Sequence, residues 1–353
     1  MNSIPSSGYA VYFNENGYDA LNELLEERHY SSIFVIVDTN TNEYCLSSFL
    51  TLLATESRIE IIEIESGEGF KSIESCLEIW SILTELGADR KSLVINLGGG
   101  VITDLGGFVA STFKRGIDFI NVPTTLLGMV DASVGGKNGV DLGNLKNQVG
   151  TINNPEMVLI DSRFLETLPQ HEMRSGLAEM LKHGLIADKS YWEKFLDLSQ
   201  VDFADFDQLV YRSVEIKNHI VTQDMTENGI RKALNFGHTL GHAIESLFLE
   251  TGRPILHGEA VAAGMILESF LSLKKGLLSA SEYAGIKSTI KHVFDDLEFS
   301  ENDVAEILEL LIHDKKNEYG SVLFALLDGI GRVIVNQTVD NELIIAAFDD
   351  YKN

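Results

Sequence analysis

The chain has 353 residues, which is too long for one typical hydrophobic core and predicts two domains. Apolar residues make up 44% and charged residues 23%, as in ordinary globular proteins, and this composition excludes a disordered or fibrous class. The net charge of −26 argues against nucleic acid and anionic membranes as partners, since both would repel the chain, but it is compatible with an anionic small substrate.

The first twenty residues lack a basic stretch followed by an apolar one. No segment reaches the roughly 18 uninterrupted apolar residues of a membrane span. These features predict a cytoplasmic protein. Cys45 and Cys76 show no metal-binding spacing, so we interpret both as free, partly buried thiols of a reducing compartment.

Apolar, β-branched runs alternate with helical patterns through the first half of the chain. The runs predicted as strands are 31–38, 59–66, 92–100, 117–125 and 157–161. Continuous apolar strands separated by helices are typical of a parallel sheet covered on both faces. From about residue 162 the pattern turns helical. We therefore predict an α/β fold, with a Rossmann-like parallel-sheet domain over 1–160 and an all-helical domain over 161–353.

A glycine-rich stretch, GGGVITDLGGF, follows the third predicted strand. Such glycines let a backbone approach a phosphate, and the helix after them offers unpaired N–H groups to an anion. Gly98 and Gly100 match the first two glycines of the dinucleotide fingerprint, but Thr103 replaces the third, so a tight packing turn is an alternative. Asp38 and Asn40 end the first predicted strand, where a doubly wound sheet places its ligands. Together these features favour a nucleotide site.

The second half carries ionisable residues on predicted helices. In SGLAEMLKHG, Glu179, Lys182 and His183 share one helical face, and a carboxylate in such apolar surroundings needs a partner or a metal. The scarce basic residues also lie within glycine- or histidine-rich motifs, which predicts a basic pocket in an acidic protein. They are Arg115, Lys137, Lys146, Lys182, Lys217, Arg231, Lys315 and Lys316.

Two histidines four residues apart, His238 and His242 in NFGHTLGHAIE, share a helical face, and His257 precedes another helix. They could be two metal ligands, two hydrogen-bonded core residues, or a pair with different roles. Two histidines and a glutamate from separate segments would make a catalytic zinc site with an open position. The absence of the HExxH glutamate disfavours a metalloprotease. The combined pattern favours a metal.

These motifs together resemble the 3-dehydroquinate synthase family of sugar-phosphate cyclases. The resemblance extends from about residue 38 to 331 and is carried by GGGVITDLGGF, RGIDFINVPTTLLGMVDASVGGKNGVDL, LKNQVG, SGLAEMLKHGLI, RKALNFGHTLGHAIE, LHGEAVAAGM and DKKNEYG. It implies an NAD-binding domain over 1–160 and a helical domain over 161–353 that binds metal and substrate. It also implies a homodimer.

The resemblance implies roles for individual residues. The metal ligands, for zinc or cobalt, would be Glu179, His238 and His257. The catalytic residues would be His242, which would assist proton transfer, with Lys182, Asp131, Lys137 and Glu179. The substrate would contact Arg115, Lys137, Lys146, Asn147, Lys182, Lys217, Arg231, Asn235, His242 and either Lys315 or Lys316. NAD would contact Asp38, Asn40, Glu68, Lys71, Gly99, Gly100, Asp104, Thr124, Thr125, Lys137, Lys146, Phe164 and Thr167.

The implied substrate is a phosphorylated sugar acid, 3-deoxy-D-arabino-heptulosonate 7-phosphate. NAD would oxidise one of its secondary alcohols, phosphate would leave, NADH would return the hydride, and ring opening with aldol closure would give 3-dehydroquinate. This reaction belongs to the shikimate pathway of aromatic amino acid biosynthesis. The alternatives are another sugar-phosphate cyclase, of the 2-epi-5-epi-valiolone or 2-deoxy-scyllo-inosose synthase type, a metal-dependent polyol dehydrogenase, and a non-catalytic binding protein of the same fold.

Overall fold

A computed structural model describes residues 1–143, 145–197, 203–313 and 322–352. The chain divides into two compact units, Met1–Pro169 and Gln170–Asn353. Residue 160, near which the sequence predicts the domain boundary, ends a strand of the first unit. In the described part of the chain, no helix combines the length and the apolarity that crossing a membrane requires.

The first unit contains the strands β1 (Ile4–Pro5), β2 (Ala10–Phe13), β3 (Ile33–Asp38), β4 (Ile59–Ile64), β5 (Leu93–Gly98), β6 (Asp118–Pro123), β7 (Lys137–Leu142), β8 (Leu145–Ile152) and β9 (Met157–Ile160). Its helices are α1 (Asn14–Arg28), α2 (Thr39–Thr41), α3 (Ser47–Leu50), α4 (Ile73–Glu85) and α5 (Gly100–Thr112). The five strands predicted from apolar runs all form.

The main sheet has the strand order β1-β2-β9-β6-β5-β3-β4. β1 runs antiparallel to β2, and the other neighbours are parallel. Residues 33–37 of β3 are all buried, so both faces of this strand are covered, because successive side chains point to opposite faces. The predicted α/β fold with a parallel sheet is confirmed.

The strand order reverses at β3. The next strand in the chain, β4, lies on one side of β3, and β5 lies on the other. In doubly wound sheets, ligands bind at such a switch point, beyond the carboxyl ends of the strands. Asp38 ends β3 there, and Gly98 ends β5, paired in register with Pro123 of β6. We call this side of the sheet the nucleotide edge.

A hairpin of β7 and β8 packs on α5 and was not predicted from the sequence. A Cβ on Gly107 of α5 would lie 2.0 Å from Oδ1 of Asn138 in β7. Glycine is therefore required at this point for the hairpin to approach the helix. Cys45 and Cys76 are both free and buried, and burial raises the pKa of each thiol to about 12.

The second unit is mainly helical, as predicted. Its helices are α6 (Gln170–Ala187), α7 (Lys189–Trp192), α8 (Phe203–Gln223), α9 (His238–Glu250), α10 (His257–Lys274), α11 (Ala280–Val293), α12 (Glu301–His313) and α13 (Asn341–Tyr351). An antiparallel hairpin of β10 (Phe324–Leu327) and β11 (Val333–Gln337) adds to the all-helical arrangement that we expected. α10 is buried along most of its length and packs against α6, α9, α11 and α13.

Candidate metal centre and nucleotide edge

Side chains from three helices of the second unit converge on one buried carboxylate. Glu179 lies within α6 and is 0% exposed, while His238 begins α9 and His257 begins α10. Oε1 of Glu179 lies 3.3 Å from Nε2 of His238 and 3.8 Å from Nε2 of His257. The structure thus brings together the three residues predicted as metal ligands.

The second ring nitrogen of each histidine is held by an acceptor. Nδ1 of His238 lies 3.2 Å from the backbone oxygen of Phe236, and Nδ1 of His257 lies 3.2 Å from Oε2 of Glu245. Because a carbonyl and a carboxylate can only accept, each Nδ1 carries a proton, and Nε2 is the ring nitrogen that faces Glu179.

Facing acceptors at this distance favour a cation between them. Among the described residues, neither oxygen of Glu179 accepts a hydrogen bond of regular geometry. The close contacts of this carboxylate are with the ammonium group of Lys182 and with Nε2 of His238. A histidine that donates its other N–H to a carbonyl or carboxylate is the usual form of a metal-bound histidine. The donor set of one carboxylate and two imidazoles therefore fits a divalent cation such as zinc.

The protonation states also suit a cation. Lys182, almost fully buried on the same helix, pairs with Oε2 of Glu179. Burial alone would raise the pKa of Glu179, but Lys182, His238 and His257 hold that pKa well below its ordinary value. Burial, together with the charge of Lys182, lowers the pKa of His238 to about 4. At neutral pH the carboxylate is ionised and His238 is neutral, which are the forms that bind metals.

His242 lies one turn after His238 on α9. One ring nitrogen from each of His238, His242 and His257 lies within 4.8 Å of the other two. The ring centroid of His242 is 5.2 Å from that of His238 and 5.7 Å from that of His257. The structure therefore places His242 beside the candidate ligands, and its separate role in proton transfer stays a prediction.

A short loop before α9 is shaped by the carboxylate of Asp224. Oδ2 accepts hydrogen bonds from the backbone N–H of Gly229 at 2.7 Å and of Arg231 at 3.1 Å, and Oδ1 accepts one from Asn228 at 3.1 Å. Burial would raise the pKa of Asp224, but these bonds lower it below its ordinary value. Nη1 of Arg231 donates to the backbone oxygen of Met225 at 2.8 Å. The loop thus fixes a buried guanidinium.

Two further predicted substrate residues lie in the same unit as Arg231. Lys217 of α8 is only 5% exposed. Asn235 ends a 3-10 helix, Ile230–Asn235, and its Nδ2 donates to Oε1 of Glu227 at 2.7 Å. Lys217 and Arg231 thus place two buried cationic side chains in the unit that contains the candidate metal centre.

The first unit collects many of the predicted NAD contacts at the nucleotide edge. Asp38 ends β3 and caps α2 by accepting the N–H of Thr41 at 2.8 Å. Gly99 is the N-cap of α5 and Gly100 is its first residue, and a Cβ on Gly99 would lie 2.9 Å from Cγ2 of Thr125. Glycine therefore lets the loops after β5 and β6 come close together beside the first turn of α5. Thr124 directly follows β6.

Charged residues cluster beside this edge. Lys71 is buried and donates to Oδ2 of Asp104 at 2.6 Å. Burial alone would lower the pKa of Lys71, but the charges of Asp104 and Glu68 raise it above its ordinary value. Nζ of Lys146 lies 3.4 Å from Oε1 of Glu68. Sequence reasoning named these four residues, and the structure brings them together.

The remaining predicted residues lie in several elements. Asn40 lies in α2, and Asn147 lies in β8 with its N–H donated to Asp141 at 2.6 Å. The others in the first unit are Asp131 in a π-helical stretch, Gly128–Ala132, Lys137 at the start of β7, and Phe164 and Thr167 in a 3-10 helix, Ser162–Thr167. Lys315 and Lys316 lie outside the described residues.

Arg115 is not near the nucleotide edge. It precedes β6, whereas Thr124 follows the same strand. The six residues of β6 alone span on the order of 20 Å, at about 3.3 Å per residue. The structure does not bring Arg115 together with the nucleotide contacts, and its role in binding substrate stays a prediction.

Sequence reasoning missed three carboxylates that hold these groups in place. Glu245 accepts from His257, Asp224 shapes the loop of Arg231, and Glu268 of α10 accepts two backbone N–H groups before and within α9. The available signal was an acidic residue within an otherwise apolar helix. Glu245 in HAIESLFLE and Glu268 in GMILESFL both have that pattern.

Comparisons with known proteins agree with the two-part organisation. Residues 61–175 match the family model described as 3-dehydroquinate synthase N-terminal, and residues 176–317 match the one described as 3-dehydroquinate synthase C-terminal. A solved structure of 2-epi-5-epi-valiolone synthase from Streptomyces hygroscopicus subsp. jinggangensis, with NAD+ and Zn2+ bound, is similar with a TM-score of 0.87. It is 26% identical to this chain, and the match covers 100% of this chain and 99% of that one.

Relatives that match along nearly the whole chain show which family it belongs to. A 3-dehydroquinate synthase of Parabacteroides distasonis is 44% identical over 334 residues, which cover 94% of each chain. A 3-dehydroquinate synthase of Sulfurovum sp. is 39% identical over 92% of this chain and 91% of its own. With this identity along nearly the whole length, and with both family models matched in order, the chain belongs to the 3-dehydroquinate synthase family.

Proposed function

We propose that the chain converts 3-deoxy-D-arabino-heptulosonate 7-phosphate into 3-dehydroquinate and inorganic phosphate. The observation that carries this proposal is the convergence of Glu179, His238 and His257, with their Nε2 and carboxylate acceptors facing one another. Two relatives with this name, at 44% and 39% identity, support the same reaction.

The metal would be held by Glu179, His238 and His257. When bound there, a zinc or cobalt ion supplies a Lewis acid that lowers the pKa of a substrate hydroxyl. Lys182 keeps Glu179 ionised, and the acceptors on each Nδ1 keep both histidines turned toward the carboxylate. His242 lies on the same face of α9 as His238, which supports its assignment as the residue that exchanges a proton with the substrate.

NAD would be held at the nucleotide edge. The first turn of α5 offers N–H groups to its pyrophosphate, and Gly99 keeps the backbone accessible there. Asp38 ends β3 at the switch point of the sheet, where ligands of doubly wound sheets bind, which supports its assignment to NAD. NAD supplies a hydride acceptor that returns the hydride within the same turnover.

The substrate carries a carboxylate and a phosphate, and both need cations. Lys217 and Arg231 are buried, at 5% and 3% exposure, in a chain whose net charge is −26. A guanidinium can hold a carboxylate or a phosphate through two parallel hydrogen bonds, and its orientation here is fixed by Met225. These buried cations favour a doubly anionic substrate over a neutral polyol.

The enzyme would be a carbon–oxygen lyase acting on a phosphate ester. We also propose that it is a cytoplasmic homodimer of the shikimate pathway. The sequence resemblance to the 3-dehydroquinate synthases supports these assignments, and the zinc-bound relative at 26% identity supports a divalent metal, zinc or cobalt.

The fate of the cofactor tests the proposal. With trace NAD, stoichiometric with enzyme, we expect many turnovers, linear release of inorganic phosphate, and no accumulation of free NADH. The reason is that oxidation and reduction occur within one turnover, so NAD is not consumed. Phosphate and NADH are measured in the same cuvette, with Glu179→Gln as the inactive control.

Two outcomes would overturn the assignment. A polyol dehydrogenase would form one NADH per product and release no phosphate. Faster turnover of a sugar phosphate that lacks the carboxylate would instead indicate a different cyclase, because Lys217 and Arg231 would then have no carboxylate to bind.

A further inference from the structure

A second buried carboxylate lies on α10, the helix that begins with the candidate ligand His257. Glu268 of α10 is 0% exposed. Its Oε2 accepts the N–H of Gly237 at 2.7 Å, and its Oε1 accepts the N–H of Leu240 at 3.1 Å. An ionised side chain is expensive to bury, and hydrogen bonds from backbone N–H groups are among the contacts that offset the cost.

These two N–H groups are the ones that a capping box would satisfy. Gly237 is the N-cap of α9 and Leu240 is the third residue of the helix. In a capping box the N-cap side chain accepts from the third residue, whose own side chain accepts from the N-cap. Glycine and leucine can do neither. A single carboxylate from another helix performs both functions here.

The backbone at this point is shaped for that contact. Gly237 has φ +79, in the left-handed region, and a Cβ there would lie 2.5 Å from Cγ of Met265. A Cβ on Gly264 would lie 2.0 Å from the backbone oxygen of Gly237. Glycines on both helices therefore let α9 and α10 approach closely enough for Glu268 to reach the start of α9.

The first residue of that helix is His238. Its Nδ1 contacts Phe236, which precedes the N-cap, and its Nε2 faces Glu179 at 3.3 Å. A shift or fraying of the first turn would move both ring nitrogens, and would also turn His242 on the same face. Small displacements matter because metal ligands must be held to within a few tenths of an ångström.

We infer that Glu268 is a positioning residue of the metal centre, which fixes the first turn of α9 and thereby the direction of His238. This inference rests on the proposed function only in taking Glu179, His238 and His257 as the ligands. It assigns Glu268 no contact with substrate, cofactor or metal.

The test is the affinity for zinc alone, in Glu268→Gln, measured on the full chain by competition with a chromogenic chelator. The amide of glutamine keeps the shape of the side chain, but its NH2 group replaces one of the two accepting oxygens. That NH2 group would face a backbone N–H, so one of the two hydrogen bonds to α9 is lost. We expect folded protein whose zinc affinity is about 10- to 100-fold weaker, the range for residues that orient ligands. NAD affinity should not change.

Ser272→Ala is the matched control. Ser272 lies one turn further along α10, where its hydroxyl accepts the N–H of Leu327 at 3.0 Å and donates to the backbone oxygen of Glu268 at 2.9 Å. Ser272→Ala therefore breaks buried hydrogen bonds on α10 but leaves the Glu268 carboxylate and its two bonds to α9 in place. Its zinc affinity should equal that of the wild type. Equal zinc affinity in Glu268→Gln and the wild type, or equal weakening in both variants, would overturn the inference.

A second variant covers the case in which Glu268→Gln does not fold. Glu268→Asp keeps the charge but is one methylene shorter and can reach only one of the two N–H groups. We expect an intermediate loss of zinc affinity, and an unchanged value would overturn the inference. A wild type that binds zinc tightly but releases no phosphate would refute the proposed reaction and leave this inference standing.

Discussion

Replacing Glu245 by glutamine should weaken metal binding without removing a ligand. Oε2 of Glu245 lies 3.2 Å from Nδ1 of His257, and the carboxylate is largely buried. A hydrogen bond to a charged group contributes about 1.5 to 3 kcal/mol, and a neutral one about 0.5 to 1.5 kcal/mol. The amide oxygen can still accept the same N–H, so the difference is about 1 to 2 kcal/mol. At about 1.4 kcal/mol per tenfold, this predicts a roughly 5- to 30-fold loss of zinc affinity.

The loss is expected because the carboxylate stabilises the positive charge that a metal shares with the imidazole of His257. Zinc affinity is measured by chelator competition at constant pH and salt. Glu250→Gln is the matched control. Glu250 is exposed at the end of α9, the helix that also contains Glu245, and its substitution removes the same charge. His257→Ala should lose stoichiometric metal altogether. If Glu245→Gln and Glu250→Gln bound zinc equally well, the pair with His257 would contribute nothing to metal binding.

Arg231→Ala should weaken the binding of the sugar-acid substrate by roughly 10- to 150-fold, which corresponds to the free energy of one charge-assisted hydrogen bond. Titrations should show an unchanged affinity for NAD. Asp224→Asn should act in the same direction but less, raising KM with little change in kcat, because it loosens the loop of Arg231; equal KM in variant and wild type would contradict this role. Cys45 and Cys76 should not react with a thiol reagent at pH 8 until the protein unfolds, because burial raises the pKa of each to about 12. Rapid labelling of native protein would refute their burial.

The strands of the central sheet were predictable because their burial on both faces requires long apolar runs. The sequences of β3, β5 and β9 are such apolar runs. β1 and β2 were missed because they have two and four residues, too few to show a period. The β7 and β8 hairpin was missed because polar residues and glycines interrupt its few apolar side chains, and because it depends on the close approach of Asn138 to Gly107, which no hydrophobic pattern reveals.

The candidate ligands were predictable for a different reason. Histidines and carboxylates in apolar helices stand out, so Glu179, His238 and His257 could be named before any geometry was known. Glu245 and Glu268 have the same character, but each shares its helix with a second acidic residue, Glu250 in α9 and Glu259 in α10, and a solvent-exposed side chain is the usual interpretation of an acidic residue on a helix. Only the packing of α9 against α10 shows which acidic residues point inward.

The position of β9 in the sheet has a consequence for synthesis of the chain. β9 lies between β2 and β6, pairing Val158 with both Val11 and Asn121. A nascent chain that has not yet released residue 160 from the ribosome therefore has two apolar strand edges with no partner. Unpaired apolar edges are prone to associate with other chains, and pairing across so long a separation is slow. We expect the parallel sheet to close late in translation, and the first unit to need protection from aggregation until then.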